Sequence, residues 1–496
     1  MRIAFVQEEL YPYLSFMYLA AIAKEWGYQT EVFISDVDNN FINSIANYQP
    51  DIVCFSVTTN SFPFAKETAK NIKVANPKVF SLVGGWHPTF HPEILEKEDC
   101  FDALCLGEGE GVFRELLKYF SNKDKIRSIN SLHVKVDGKI YCNPIGSLVE
   151  NLDDLPLPLR SIYYDKFEIL RDVPTKIFNA GRGCPFPCTY CFNEKMKETY
   201  SNKGKYVRFR SAENIVREIN SVKERYPIKY VQFIDDTFNS DRKWLMSFLD
   251  LYKEKVGLPF LAACRVNRLD EELIVKMKEA GVDKINIAVE HGNEKIRREM
   301  LRRDMTNAEI LEGGRLLRKY KIRFHISNIV GFPGETMEQA LETLKLNQQL
   351  RPEFAAMHVF QPYPGTQIYQ YFKDKGYFKE DLNVNDMPPL MSWGMKERNV
   401  GSVVKQGNIH ALINLHSFFS LLVRHPYLWF IVKPLLNLKP NKYFEFFQSW
   451  YVFKMRFKYA TNSRERINYL LQLTQYILPA YIQSKLEHVF KYYRQI

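Results

Sequence analysis

Long apolar runs are missing from this sequence. No window reaches the ~18 uncharged apolar residues that a membrane-spanning helix requires, and the opening "MRIAFVQEELYPYL" lacks a basic segment followed by an apolar one. Neither a spanning helix nor a secretory leader is expected, and the expected location is the cytoplasm. Cysteine is scarce as well, at eight residues in 496. Cytoplasmic thiols stay reduced, which argues against a disulfide framework and leaves a metal or catalytic role for any tight cluster. Net charge is nearly absent from most of the chain. Of the formal +11, residues 401–496 carry +10, from 13 Lys and Arg against 3 Asp and Glu. A nucleic-acid surface spread over the chain is therefore disfavoured, and the basicity belongs to the tail.

What is present is a repeated alternation of strand and helix patterns. At ~150 residues per domain, the length suits about three domains. Residues 1–125 offer the strand candidates "RIAFVQ", "TEVFIS", "DIVCFSV", "KVFSLVGG" and "DALCLG" with helical patterns between them, which predicts an α/β, Rossmann-like parallel sheet. Ligands of such sheets lie beyond the carboxyl ends of the strands. Those ends read Gln7-Glu8, Ser56-Val57-Thr58-Thr59, Gly84-Gly85-Trp86-His87-Pro88 and Gly107-Glu108-Gly109-Glu110. Residues 126–174 contain a hairpin with an Asp137-Gly138 turn and the proline-bearing linker "NLDDLPLPLR". Residues 175–400 restart the alternation with "TKIFNAG", "YVQFIDD", "PFLAACRV", "KINIAVEHG", "RFHISNIVGFPG" and "FAAMHVFQPYPG". Six such units suit a partial (β/α)6 TIM-type barrel with its chemistry at the strand ends. Residues 401–496 read as helical and hold 20 aromatics.

Three of the eight cysteines fall in "RGCPFPCTYCFN", from Arg182 to Asn193, after the first barrel strand. The other five, Cys54, Cys100, Cys105, Cys142 and Cys264, are scattered singly, as buried structural cysteines are. Zinc would need a fourth ligand on a second knuckle, and none is visible. A four-cysteine iron–sulfur site is one ligand short, because Cys264 is isolated beside Arg265. Three thiolates from Cys184, Cys188 and Cys191 can hold three corners of a four-iron cubane and leave the fourth iron open.

The CxxxCxxC spacing, with the aromatic Tyr190 before the last cysteine, resembles the radical S-adenosylmethionine superfamily over about residues 175–370. The resemblance implies a [4Fe–4S] cluster whose open iron takes the amino and carboxylate groups of S-adenosylmethionine. An electron from reduced flavodoxin or ferredoxin then cleaves it to methionine and a 5′-deoxyadenosyl radical. By the same resemblance Tyr190 lines the adenine, Asp235 or Asp236 takes the methionine ammonium, Arg265 pairs the carboxylate and Glu290 of "VEHG" holds the ribose. "IVGFPGE", from Ile329 through Gly331 to Glu335, would pack on the adenine. Plainer readings stand beside these. The aspartate pair is also a helix-capping sequence, and Arg265 also suits an ordinary ion pair. Glu290 ends a strand of buried type and so demands a partner. "PYPGT", Pro362 to Thr366, reads as a turn that shapes the mouth of the site.

The first domain resembles the cobalamin-binding domains of cobalamin-dependent radical S-adenosylmethionine enzymes, on "GGWHPT", "LGEGEGVF" and the linker. The implied cobalamin contacts are Ser56, Thr58, Thr59, Gly84, Gly85, His87, Gly107, Glu108 and Gly109. A tight turn alone would also account for the glycines, and the hydroxyls would also suit helix caps. The DxHxxG motif that supplies a cobalt ligand in many cobalamin proteins is missing. His87 and His91 read as structural or tail-contacting rather than as cobalt ligands.

Together the two cofactors imply a C-methyltransferase acting on an unactivated carbon. The alternative is a cyclase or oxidoreductase of the anaerobic tetrapyrrole ring-forming type. A transfer-RNA methylthiotransferase is disfavoured, because Cys54, Cys100 and Cys105 form no second triad and the tail is not a β-barrel. A cofactor-binding sensor would not need Glu290, Arg265 and the aspartates around the cluster.

The tail stretch "FFSLLVRHPYLWFIVKPLLNLKPNKYFEFFQSWYVFKMRFKYA" mixes aromatics with Lys and Arg but has no apolar piece long enough to span. It suits either a helical cap on the barrel or a peripheral contact with the inner membrane face, anchored by Trp429 and Trp450 and matched to a lipophilic substrate.

Overall fold

Near-continuous apolar runs make the first strands, as expected where both faces of a parallel sheet are covered by helices. β1 (Arg2–Gln7), β2 (Gln29–Ile34), β3 (Ile52–Ser56), β4 (Phe80–Gly84) and β5 (Ala103–Cys105) are mutually parallel in the order β2-β1-β3-β4-β5. The helices Leu14–Glu25, Phe41–Tyr48, Phe62–Ala75 and Gly109–Tyr119 alternate with them. The first of these stops at Gly27, whose φ of 72° is the left-handed conformation that ends helices. Strand order reverses between β1 and β3, the place where ligands of open α/β sheets bind. The core beneath one face is built from Val6, Val53, Phe55, Val83, Phe101 and Leu104 with helix residues such as Phe62 and Ile72.

β6 (Leu132–Val136) and β7 (Lys139–Cys142) form the expected hairpin, with Asp137 at φ 50° and Gly138 at φ 76° in its turn. The hairpin does not stand apart in the linker. β6 pairs antiparallel with β5, Ala103 opposite Val134, and extends the sheet to seven strands. This covers the edge that β5 would otherwise leave unpaired.

The structure, a computed structural model, describes residues 1–378, 404 and 407–459. The chain divides into two units. One takes in Met1–Pro185, Phe192–Asp236 and Asp250–Leu258, and the other Phe186–Cys191, Thr237–Leu249 and Pro259–Ile496.

Beyond the first sheet, the first unit contains β8 (Thr175–Phe178), β9 (Gly181–Arg182), β10 (Arg208–Phe209) and β11 (Tyr230–Phe233). β8 and β11 are parallel neighbours, and β9 pairs with β10 in a short antiparallel ribbon that the strand pattern did not reveal. The second unit carries β12 (Phe260–Cys264), β13 (Val282–Glu290), β14 (Arg323–Val330) and β15 (Phe354–Val359), parallel and in sequence order. All six strand candidates of this region are present.

Past the barrel strands come the helices Ile409–Arg424, Trp429–Leu435 and Lys442–Tyr459. The first is apolar nearly all round because it is buried, packing Leu412, Leu415, Phe419 and Leu422 against Val330, Leu344 and Met357. An isolated bridge joins Phe378 and Val404. Among the described residues, no helix is long and apolar enough to cross a membrane.

Candidate functional site

The loop with the three cysteines leaves β9 and runs straight into the helix Phe192–Thr199. Its approach is held by Asp235, at the end of β11. The Asp235 carboxylate accepts from the backbone N–H of Ala180 (3.0 Å) and of Gly181 (2.6 Å). Burial pushes its carboxyl up to about 7, although these two donors favour the charged form. Asp235 therefore anchors the turn between β8 and β9. Its neighbour Asp236 is exposed and hydrogen-bonded by Asn193, two residues past Cys191.

Cys188 is buried, while Cys184 and Cys191 are half-buried. Cys191 N donates to Cys188 O (3.1 Å), so the loop closes on itself just before the helix. Pro185 and Pro187 face solvent. Among the described residues, no three His, Cys, Asp or Glu side chains stand together as a ready-made metal-binding group.

Tyr190 and Glu290 come together. Tyr190 OH donates to Glu290 Oε1 at 2.7 Å. Glu290 ends β13 at φ 68°, an uncommon conformation for a residue with a side chain, and the β13–β14 register shifts between Ala288 and Glu290. Burial raises the Glu290 carboxyl, and nearby Arg303 pulls the other way. Arg303, which sequence reasoning missed, donates to Ala288 O (2.5 Å) and lies 3.4 Å from Tyr190 OH and 3.7 Å from Cys188 Sγ. Burial opposes its charge, but Tyr190, Glu290 and Cys188 outweigh that and hold it cationic. Its buried Nε has no hydrogen-bond partner.

Arg265 is buried at the end of β12, its guanidinium 3.9 Å from the ring centroid of Phe186 in the cysteine loop. It donates to Asn267 Oδ1 (3.1 Å) and Asp304 O (3.1 Å), while Asn239 Oδ1 accepts from its backbone N–H (2.8 Å).

Ile329 packs in the same apolar cluster as Tyr190, with Phe332 and Phe360. Gly331 has φ 87°, and its N–H donates to Glu335 Oε2 (2.6 Å), as does that of Phe332 (3.0 Å). Glu335 Oε1 meets His291 Nε2 at 3.0 Å, so the exits of β13 and β14 are tied together beneath the site. Arg297, also missed, is fully buried and donates to His291 O (2.6 Å), Met305 O (2.9 Å) and Asn307 Oδ1 (2.9 Å). Burial lowers its pKa to about 10. The "PYPGT" turn ends at Thr366, which caps the helix Gln367–Asp374, and Ile368 N in that helix donates to Thr189 O (3.0 Å), next to Tyr190.

On the first sheet, the proposed cobalamin contacts gather at the carboxyl ends of β3, β4 and β5, but several already have partners. Ser56 Oγ lies 3.4 Å from Ser15 Oγ, and Thr58 is bonded to Ser61. Gly84 would bring a Cβ into ordinary contact with Cys105. Gly85, at φ 101°, lies so close to Val57 that a Cβ would fall 2.5 Å from its carbonyl oxygen. Gly107 is covered by Tyr200, and Gly109 starts the helix Gly109–Tyr119. Gly85 and Gly107 are thus required by the protein's own packing, whereas Gly84 and Gly109 would admit a Cβ at ordinary contact distance.

His87 is buried against Phe62 (ring centroids 4.3 Å apart) and beside Thr59 (3.3 Å). Burial lowers its pKa to about 3, so it stays neutral. Glu108 does not face an open edge, because it is engaged by Arg208 and Arg182. Those two arginines hold its carboxyl below the usual range in spite of burial.

The residues fit the groups the motif implies. The donor set is three thiols on one loop with a buried cation at Cys188, which suits a thiolate-held cluster. The unpartnered Arg303 Nε near Tyr190 and Glu290 suits a polar ligand. At the first sheet, Thr58 and the indole of Trp86 (41%) are exposed, Thr58 bonded to Ser61 and Trp86 stacked on Phe90 and Phe192, with His87 turned into the core.

Comparison with known proteins agrees with this division of labour. A B12 binding domain matches residues 5–117, and the Radical SAM superfamily matches residues 178–346. An uncharacterized methyltransferase of Pyrococcus horikoshii is 29% identical over 438 residues, covering 86% of this chain and 89% of that protein. An anaerobic magnesium-protoporphyrin IX monomethyl ester cyclase of Rubrivivax gelatinosus is 25% identical, covering 75% of this chain and 68% of its own.

Among solved structures, the cobalamin-dependent radical enzyme OxsB with aqua-cobalamin bound superposes at a TM-score of 0.66, with 17% identity over 96% of this chain and 79% of that one. The radical S-adenosylmethionine methyltransferase TsrM from Kitasatospora setae, with cobalamin and a [4Fe–4S] cluster bound, gives 0.63 at 17% identity over 75% and 78%. The cofactors of this chain are accordingly a [4Fe–4S] cluster, S-adenosylmethionine and cobalamin. With a B12-binding domain ahead of a radical domain that bears the three-cysteine loop, the protein belongs to the cobalamin-dependent radical S-adenosylmethionine enzymes.

Proposed function

We propose that this enzyme is a C-methyltransferase that acts on an unactivated carbon of a lipophilic or natural-product small molecule. The observation that carries the reading is the succession of the B12-binding match and the radical match on one chain, together with the similarity along most of its length to a methyltransferase. When bound, the cofactors supply reductive cleavage of S-adenosylmethionine and a methyl group carried on cobalt.

The chain's own residues do the holding. Cys184, Cys188 and Cys191 are the cluster ligands in this proposal, and the Arg303 cation beside Cys188 offsets their negative charge. Tyr190 and Glu290, already hydrogen-bonded, present a phenol and a carboxylate to the nucleoside. Arg265 is aimed along Phe186 toward the loop, where it would meet the amino-acid carboxylate. Asp235 holds the loop's approach, which leaves Asp236 as the better placed of the pair for the methionine ammonium. Ile329 and Gly331 supply the apolar wall. Ser56, Thr58 and Thr59 would hydrogen-bond cobalamin at the first sheet, while His87 is turned into the core.

The electron donor in this reading is reduced flavodoxin or ferredoxin. The lipophilic substrate would be met at a membrane surface touched by the C-terminal region.

A second reading, cyclisation or oxidation, is favoured by the similarity to the anaerobic cyclase. Anaerobic incubation of the reconstituted enzyme with methyl-labelled S-adenosylmethionine and candidate substrates separates the two by mass spectrometry. Label in the product supports methyl transfer. A product changed only by loss of hydrogen or gain of oxygen, without label, overturns it in favour of the second reading.

A further inference from the structure

Both flanks of the cysteine loop are gripped by loops of the first sheet, all within the first unit. On the leading side, Arg182 and Arg208 face each other across the β9–β10 ribbon. Arg182 donates to both oxygens of Glu110 (2.5 and 3.2 Å), and Arg208 to both oxygens of Glu108 (2.5 and 3.1 Å). Arg182 also lies 3.3 Å from Glu108. On the trailing side, Phe192, which follows Cys191 directly, packs on Phe90 (5.0 Å, 20° between ring planes) and Trp86 (6.1 Å, 22°). The loops after β4 and β5 are tied to each other as well. Gly107 N donates to Thr89 Oγ1 (2.9 Å), which donates to Gly85 O (2.7 Å). Tyr200 OH accepts from Glu108 N (2.8 Å).

Stability alone is a poor account of the charged half of this grip. The four side chains are mostly buried, and replacing buried ion pairs by apolar residues of similar volume is often neutral or stabilising. What two forked arginine–carboxylate pairs supply beyond attraction is fixed distance and orientation. The same two arginines make further contacts of the short β9–β10 ribbon, Arg182 lying over the Tyr18 ring (5.5 Å) and Arg208 donating to Val149 O (2.5 Å). "GEGE" thus holds Arg182 and Arg208 rather than presenting acceptors to a ligand, and it does so two residues before Cys184.

We propose that Glu108, Glu110, Arg182 and Arg208 are positioning residues that set the separation of cobalamin from the iron–sulfur cluster, with the Trp86–Phe90–Phe192 stack holding the other flank. The inference rests on the reading that both cofactors serve one reaction. In that case a methyl group and a substrate radical must meet at one carbon, and a misplacement of about 1 Å can cost a hundredfold in rate.

The test is spin resonance on the full chain holding Co(II) cobalamin and the reduced cluster, comparing wild type with Glu110→Gln and with Arg208→Lys, which keeps the charge and loses the fork. Cobalamin and iron content and thermal midpoint are measured on the same samples. The expected result is a defined Co(II)–cluster spin–spin splitting in the wild type that broadens or disappears in both variants while cofactor content is retained. Variants that keep the wild-type splitting and lose only thermal stability overturn the inference, because a purely structural role would produce that pattern. A wild type that takes up the cluster but no cobalamin removes the two-cofactor reading itself, and the inference with it.

Discussion

At Arg303 a guanidinium faces a sulfur, a phenol and a carboxylate inside an apolar wall, so its removal has a predictable sign. Glu290 would be left buried with only Tyr190 as partner. Ala288 O would lose the donor it has in Arg303 (2.5 Å), and each unsatisfied buried group costs about 1–3 kcal/mol. Arg303→Met is therefore expected to lower stability by that amount, read as a shift of the denaturant midpoint at unchanged slope. Adding Glu290→Gln should recover part of it, since the stranded charge is then gone. Recovery of nothing in the double variant would mean that the loss arises elsewhere. Arg303 was hidden in "EKIRREMLRRDM", which holds five cations within nine residues and reads as a solvated face. Arg297 and Arg303 are buried there while Arg298 is exposed, and that choice follows from the irregular helix Ile296–Met300 and the turn after it, which composition does not encode. Glu290 was legible for the opposite reason, because a carboxylate ending a buried strand must have a partner.

Among the elements, the segment leaving β14 is closed by one of its own side chains, with Asn408 Nδ2 donating to Glu335 O (2.8 Å) from outside. Glu335 accepts from Gly331 N and Phe332 N and contacts His291, with no exposure of either side chain. Glu335→Ala would strand two backbone donors and an imidazole, and each unsatisfied buried group costs about 1–3 kcal/mol. The expected loss is about 3 kcal/mol, with faster amide exchange confined at first to Gly331 and Phe332. Uniformly raised exchange across β14 and β15 would instead assign Glu335 to the global core. The "IVGFPGE" stretch could be read as a site segment from its glycines and proline, but its self-capping could not, because that contact closes only once the loop has turned. The hairpin gives the same lesson. Asp137-Gly138 announced its turn, whereas the pairing of β6 with β5 depended on which edge the sheet left open. The parallel strands were legible in both sheets, since each is a short run rich in buried residues and bounded by helix-length spacers, and the hairpin strands were legible from their turn. The β9–β10 ribbon is two residues a side and leaves no such pattern.

For the whole molecule, the tail divides into a part that stabilises the barrel and a part that faces outward. Helix Ile409–Arg424 is core, with Ser420 Oγ donating to Ala355 O (2.6 Å) and Gln348 to Leu422 O (3.0 Å). Deleting everything past residue 400 would therefore damage the barrel and say nothing about lipid. Trp429, expected as an interfacial anchor, packs against this core instead. The outward face begins after the helix Ile409–Arg424, with Tyr427 (66% exposed), Phe430 (72%), Leu438 (50%) and Tyr443 (71%), and with Trp450 partly exposed. Lys433, Lys439 and Lys442 lie among them in sequence. Exposed aromatics interleaved with lysines suit an anionic bilayer surface, where each cation contributes about 1 kcal/mol and the attraction fades with salt. The expected outcome is co-sedimentation of the full chain with anionic vesicles at low salt, little with neutral ones, and release as salt rises. Phe430→Ser with Tyr443→Ser should weaken binding at every salt concentration. Lys433→Glu with Lys442→Glu should weaken it most at low salt, because only the screened part of the attraction is removed. None of these side chains lies in the described barrel core, so thermal midpoints should stay near that of the wild type. A full chain that remains in the supernatant with anionic vesicles at low salt would sink the membrane reading, and the lipophilic substrate would then lose its main physical support.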